Sequence, residues 1–241
     1  MAHEIESMVY VGETPWHGLG IPIPEGRKLS IQEAIVAAGL DWEVELRHIS
    51  TRDEKGIQTG ILNYYVTCRK SDNTVLGIVG NDYHVLQNRD AFRWFQPFLD
   101  SGEATIETAG SLKRGLKIWV LARIKRDPLT VRKEDIMQHF ILLSNSHDGS
   151  MPVHVGFTPI RVVCNNTLCL AHESKASKLL RVKHSSRILK NLEEIRETIN
   201  LAQREFSATV EQYRRLANKD INSTDLVKYV RLVFGLKERA R

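Results

Sequence analysis

Two runs of nine alternating residues joined by a short polar tip constrain this chain more than any other feature. ATIETAGSL (104–112) and LKIWVLARI (116–124) flank Lys113-Arg114-Gly115. A period of two marks a strand whose faces meet different surroundings. In the second run Ile118, Val120, Ala122 and Ile124 fall on one side and Trp119, Leu121 and Arg123 on the other. Gly115 can supply the positive φ that a short hairpin loop requires. The pair therefore predicts an antiparallel hairpin.

Other segments repeat the pattern. WEVELRHI (42–49) reads as a half-buried strand. ILNYYVTCR (61–69) and TVLGIVG (74–80) form a second hairpin around the turn formers KSDN. HVLQ reads as a brief strand, and HFILLSNS (139–146) and PVHVGFT (152–158) as two more. Ser30 and Glu33 have capping-box spacing before IQEAIVAA, a helix stopped by Gly39. Asn88 is placed to cap RDAFRWFQPFLD, in which Pro97 should kink or shorten the helix. Helical character dominates beyond residue 164. NNTLCLAHESKASKLL can form a helix, and a longer one is expected over 185–216. Its residues Ile188, Leu192, Ile195, Ile199, Ala202, Phe206, Tyr213 and Leu216 keep a heptad-like stripe, either for packing on the same domain or for self-assembly into a homo-oligomer. A last helix is expected over 225–234.

Strands first and helices after imply an α+β fold with an antiparallel sheet and hairpins in the first two-thirds, and a helical C-terminal part. The expected organisation is an irregular leading segment (1–29), an α+β core domain (30–184) and a helical part (185–241). The Gly- and Pro-rich GETPWHGLGIPIPEG underlies the first of these, with Trp16 and Leu19 expected to pack on the body.

Charge is unevenly distributed. Residues 1–160 hold 17 Lys and Arg against 20 Asp and Glu, whereas 161–241 hold 17 against 9. Lys113, Arg114, Lys117, Arg123, Lys125 and Arg126 form one basic cluster, and 161–190 carries seven bases against Glu173. Such clusters suit an anionic partner, nucleic acid being the commonest. No apolar run is long enough for a membrane span. MAHEIESMVY carries acids where a secretory signal carries bases, so a cytoplasmic, membrane-free setting is expected. Three cysteines suit a reducing compartment.

No P-loop, GxGxxG, HExxH or GxSxG occurs, which disfavours the common nucleotide-dependent and hydrolytic mechanisms. Cys164, Cys169 and His172 are soft or borderline ligands, but their spacing is not that of a zinc finger or ribbon, and no metal or cofactor is expected. His147 and Asp148 in SNSHDGS, with Arg161, Cys164 and Asn165 in TPIRVVCNN, are the alternative catalytic set. The simpler reading makes Asp148-Gly149 a turn, His147 a surface residue and Cys164 an inert core thiol.

NDYHVLQNRDAF, ETAGSLKRGLKIWVLARI, LLSNSHDGS and TPIRVVCNNTL together resemble the phage/plasmid-like protein family, catalogued as domain of unknown function 932. GETPWHGLG is similar to that family's start, and the resemblance runs from about Trp16 to about Asn200. It implies a mobile-element setting and brings no catalytic residues with it. The ingredients of sheet, basic hairpin and helical end also resemble phage single-strand annealing proteins, without a shared motif.

The expected function is therefore single-stranded-DNA binding in recombination or replication, with strand annealing as one form of it. Lys113, Arg114, Lys117, Arg123, Lys125, Arg126, Arg161, Lys175, Lys178 and Lys183 would hold phosphates, and Trp119 would stack on a base unless it is core. Tyr64, Tyr65 and Tyr83 could widen that face. The alternatives are an enzyme using the His147 and Cys164 segments, or an interaction protein that engages a host factor through the 188–216 helix.

Overall fold

A computed structural model describes residues 3–125, 129–132, 135–199 and 222–234. They divide into two units, Met1–Pro128 with Gln138–Leu201 and Leu129–Met137 with Ala202–Arg241. The second contains a short antiparallel pair, β8 (Leu129–Arg132) and β9 (Asp135–Met137), and helix α6 (Ser223–Phe234). No helix among the described residues is long and apolar enough to cross a membrane.

The hairpin read from the sequence is the centre of a seven-stranded sheet. It comprises β6 (Ala104–Leu112) and β7 (Lys117–Ile124). On one side β7 pairs with β10 (Phe140–Ser146), then β11 (Val153–Thr158), then β12 (Lys178–Val182). On the other side β6 pairs with β1 (Ile5–Val11), which pairs in parallel with the short edge strand β2 (Ile21–Ile23). The fold is α+β as expected, but this parallel pair makes the large sheet mixed. The first residues are thus not an irregular segment. The Gly and Pro that suggested one lie between β1 and β2, and leave the apolar run Met8-Val9-Tyr10 free to pair. Trp16 and Leu19 lie in that loop and are exposed, contrary to expectation.

Both faces of the sheet are buried. On the front face Met8, Tyr10, Leu112, Trp119, Leu121, Phe140 and Leu142 pack under residues 160–164 and helix α4 (Asn165–Glu173). The register sets Trp119 beside Gly110, where an added Cβ would meet the indole at 2.5 Å and the Ser7 carbonyl at 2.3 Å. Only glycine leaves room for the ring. Val9, Ala109, Val120, Ala122, Ile141 and Leu143 point to the back, where α1 (Ile31–Ala37), α2 (Asn88–Arg93) and α3 (Gln96–Asp100) lie against β1, β6 and β7. The Ser30–Glu33 capping box forms. Pro97 falls in the first turn of α3, so the expected single helix becomes two. Asn88 does not cap α2. Its side chain is buried and bonds the Leu40 and Trp42 carbonyls instead.

The C-terminal expectations divide. The stretch after α4 is strand β12, where Val182 and Leu179 gain partners on β11 that helix propensity could not supply. HVLQ forms no strand. Helix α5 covers 188–199 and buries Ile188, Leu192 and Ile199, while Trp94 donates to the Leu192 carbonyl. This part of the stripe serves its own unit. Residues 200–221 lie outside the described residues, and with them the remainder of the expected oligomer-forming helix.

A three-stranded antiparallel sheet, β3 (Val44–Arg52), β4 (Gln58–Arg69) and β5 (Val75–Gly80), packs on one end of the large sheet. Arg69 is the joint. It pairs with Glu6 at 2.9 Å, donates to the Arg114 carbonyl at 3.0 Å and lies 4.4 Å over the Trp42 ring.

At the other end Glu107, 2% exposed, receives Arg123 Nε at 2.8 Å, Arg123 NH2 at 2.9 Å and Arg161 Nε at 2.6 Å. Arg161 also donates to the Glu13 and Val11 carbonyls. Removing the carboxylate leaves two guanidinium groups facing each other without a counterion. Glu107→Ala should therefore cost about 3–5 kcal/mol in urea unfolding. A loss below about 1 kcal/mol, the scale of a surface ion pair, would contradict this placement.

Candidate functional site: a cation–histidine pocket

Residues 118–122 of β7 are buried, so the strand's cations stand at its ends. Lys117 and Arg123 lie about 20 Å apart at about 3.3 Å per residue. The basic cluster that is continuous in sequence is thus divided in space.

At the Lys117 end the register brings a group of polar side chains together. Arg181 of β12 sits opposite His154 of β11, which sits opposite Ser144 of β10, while Lys117 pairs with Ser146 one step along the same face. Helix α4 crosses this face and delivers His172. Its Nε2 lies 2.9 Å from Ser144 Oγ, and its ring stacks on His154 with centroids 4.2 Å apart and planes at 22°. Burial pushes the His172 pKa down to about 4, and His154, Lys117 and Arg181 push the same way. Burial also lowers His154, helped by Arg181 and Lys117 and opposed by the Pro152 backbone. Both rings are therefore neutral at pH 7. Lys117, Arg181, Lys178 and Lys183 make no ion pair among the described residues. The arrangement is a cationic cluster without a carboxylate among the described residues, set around two hydrogen-bonding rings. An anion seated there would offset the part of this lowering that Lys117 and Arg181 add to burial.

The family described as Domain of unknown function (DUF932) matches residues 75–241, more than half of the chain. The chain belongs to the DUF932 family. The match starts well after Trp16, where the resemblance of the quoted blocks begins, and it includes every residue of the pocket. No curated protein and no solved structure matches the chain significantly.

In this DUF932 protein the other expected site residues are scattered. Trp119 is fully buried and its indole donates to Thr108 Oγ1 at 3.1 Å, so it belongs to the core and offers no stacking face. Lys113 pairs with Glu4, and the Arg114 side chain is exposed beside it at the hairpin tip. Arg123 and Arg161 are committed to Glu107. Lys125 lies at that far end, and Arg126 falls outside the described residues. Lys175, Lys178 and Lys183 are exposed around α4 and β12. Sequence reasoning counts Arg181 only among the seven bases of 161–190, weighs His172 only as a metal ligand and His154 only as a partner of Cys164, and does not bring the three together. The period-two spacing of KLLRV and VHVGFT carries the signal that could find two of them, once both are read as strands.

The alternative catalytic set is not brought together. His147 follows β10 at the Lys117 end, whereas Arg161 joins Glu107 and Arg123 at the opposite end. His147 is no surface residue. It is fully buried, with Nε2 2.9 Å from Asn88 Oδ1 and its ring edge-on to Trp42, and burial takes its pKa down to about 3. Asp148 Oδ1 accepts from the Ser150 amide, as the turn reading requires. Cys164 is buried at the N-cap of α4, and Cys169 is exposed. Among the described residues no three His, Cys, Asp or Glu gather as a metal site.

Five histidines, 139, 147, 154, 172 and 184, are held below the ordinary value of 6.5 by burial. The unfolded chain protonates them first on acidification. Their contribution to stability is therefore complete above pH 6.5 and falls as pH drops toward the folded values, about 4 for His172 and about 3 for His147. Urea midpoints should decline between pH 6.5 and 4, and His172→Gln should flatten that decline. Equal midpoints across the interval would contradict it.

Proposed function

We propose that this protein binds single-stranded DNA, through the cation–histidine pocket, as an accessory of recombination or replication in a mobile-element setting. The carrying observation is that Lys117 and Arg181 converge on two stacked, neutral histidines. Phosphate oxygens accept hydrogen bonds and repel carboxylates, so a recess with this lining suits a nucleic-acid backbone. The pocket lies against α4 and its rings are largely enclosed. A flexible single strand can turn a phosphate into such a recess. A duplex, stiff over about 50 nm, presents its phosphates on a straight cylinder.

The stacking contribution passes from Trp119 to Trp16. Trp16 is 65% exposed and is braced edge-on by His3 and His17. His17 lies 3.1 Å from the Val163 carbonyl and the His3 carbonyl accepts from the Asn165 amide, so this group stands at the start of α4. His172 is near the helix's other end, about 10 Å away at about 1.5 Å per residue. One to two nucleotides can bridge that distance in an extended strand. The stacked rings present themselves side by side. Stacked with centroids 4.2 Å apart, they leave no room for a phosphate between them, as acid and base on opposite sides of a phosphorus atom would require, so the geometry favours binding over cleavage.

Fluorescence anisotropy of a labelled single-stranded oligonucleotide across a salt series tests the proposal. Arg181→Glu and Lys117→Glu should each weaken binding roughly tenfold and reduce the salt slope by about 0.7 for each phosphate that is no longer neutralised. Lys113→Glu should do less, because Lys113 is already paired with Glu4. Trp16→Ala should weaken binding and leave the salt slope unchanged. No binding at low salt, or full affinity in a folded Arg181→Glu protein, would overturn the proposal.

A further inference from the structure

The far end of β7 carries a second recess, a cleft of about 340 Å3 framed by the end of β1, the 24–28 turn and the ends of β6 and β7. That volume lies at the small end of ligand pockets. Glu107 belongs to its lining, and its carboxylate already accepts three guanidinium hydrogen bonds. Arg123 spends Nε and NH2 on Glu107, and its NH1 has no partner among the described residues. Lys28 and Lys125 line the cleft and make no ion pair among the described residues. Arg27 is held by Glu33, and Glu25 is the one remaining acid of the lining. Thr105 adds a hydroxyl, while Val11 and Ile106 supply an apolar wall.

We propose that this cleft is a binding site for a small organic phosphate of mononucleotide size. Arg123, Lys28 and Lys125 border the cleft and can serve as donors for a dianionic phosphate, with the apolar wall for the organic part. Arg123 already has Glu107, so a dianionic phosphate matches the two unpaired lysines, whereas a bare carboxylate would leave one of them without a counter-charge and an unphosphorylated nucleoside both. The site is separate from the Lys117–Arg181 pocket, and the proposal stands whether or not that pocket binds DNA.

Isothermal titration with adenosine monophosphate as the probe tests it, with inorganic phosphate and adenosine as controls. Lys28 and Lys125 are exposed, so the Lys28→Glu/Lys125→Glu double variant should fold as the parent does. The expected result is one-to-one binding of the nucleotide, at least about tenfold tighter than inorganic phosphate and undetectable for adenosine. The double variant should weaken it by at least about tenfold, and Arg181→Glu should leave it unchanged. Absence of saturable binding by the intact protein would overturn the proposal. So would inorganic phosphate binding as tightly as the nucleotide, or nucleotide binding lost in Arg181→Glu and kept in the double variant.

Discussion

The buried Glu107 carboxylate is the interaction on which the rest of the first unit depends. It sits at the irregular step in β6 where the register with β7 shifts between Ile106 and Thr108. Arg123 reaches it from the neighbouring strand and Arg161 from the segment that covers the front face. Arg161 then passes to the carbonyls of Val11 and Glu13. One carboxylate thus ties the central hairpin, the N-terminal strand and the covering segment. The desolvation of so enclosed a charge is tolerable only because two cations and their hydrogen bonds satisfy it together.

That anchoring follows from a sheet buried on both faces. Apolar side chains fill most of the inner strands, where Glu107 is held by its two arginines, and a cation there would be unpaired in a dry environment. The cations are therefore displaced to the strand ends, where solvent reaches them. Those near Glu107 are partly consumed by the network and leave the Lys28–Lys125 cleft beside it. At the opposite end Lys117 and Arg181 make no ion pair among the described residues and stand beside His154 and His172. The pocket's histidines are neutral for the same reason that the core is stable, since both follow from exclusion of water by α4.

Local pattern makes much of this legible. The 104–124 hairpin, the 61–80 hairpin, strands β10 and β11 and the Ser30 cap are all readable from alternation or spacing. β1 is not, because the Gly and Pro that follow it dominate its neighbourhood. β12 is not, because KLLRV carries residues that also suit a helix, and only pairing with β11 decides between them. The DUF932 resemblance is legible from the quoted blocks, and the family match bears it out over 75–241. The candidate site is legible only in part. Lys117 stands out, but a continuous basic run in sequence does not show that its ends point to separate recesses. His154 and His172 are 18 residues apart, on a strand and a helix, and nothing local announces that they stack. Trp119 shows the converse: a tryptophan beside lysines looks like a stacking platform until the glycine across from it proves to be its seat.

The central claim is that the stacked histidines and the two cations beside them form one anion-binding unit. It is tested most directly by following the His154 and His172 ring protons by NMR through a pH titration, with and without a single-stranded oligonucleotide. The account predicts that the nucleic acid raises both titration midpoints from their depressed values and leaves the buried His147 unmoved. Midpoints unchanged by saturating oligonucleotide would contradict it.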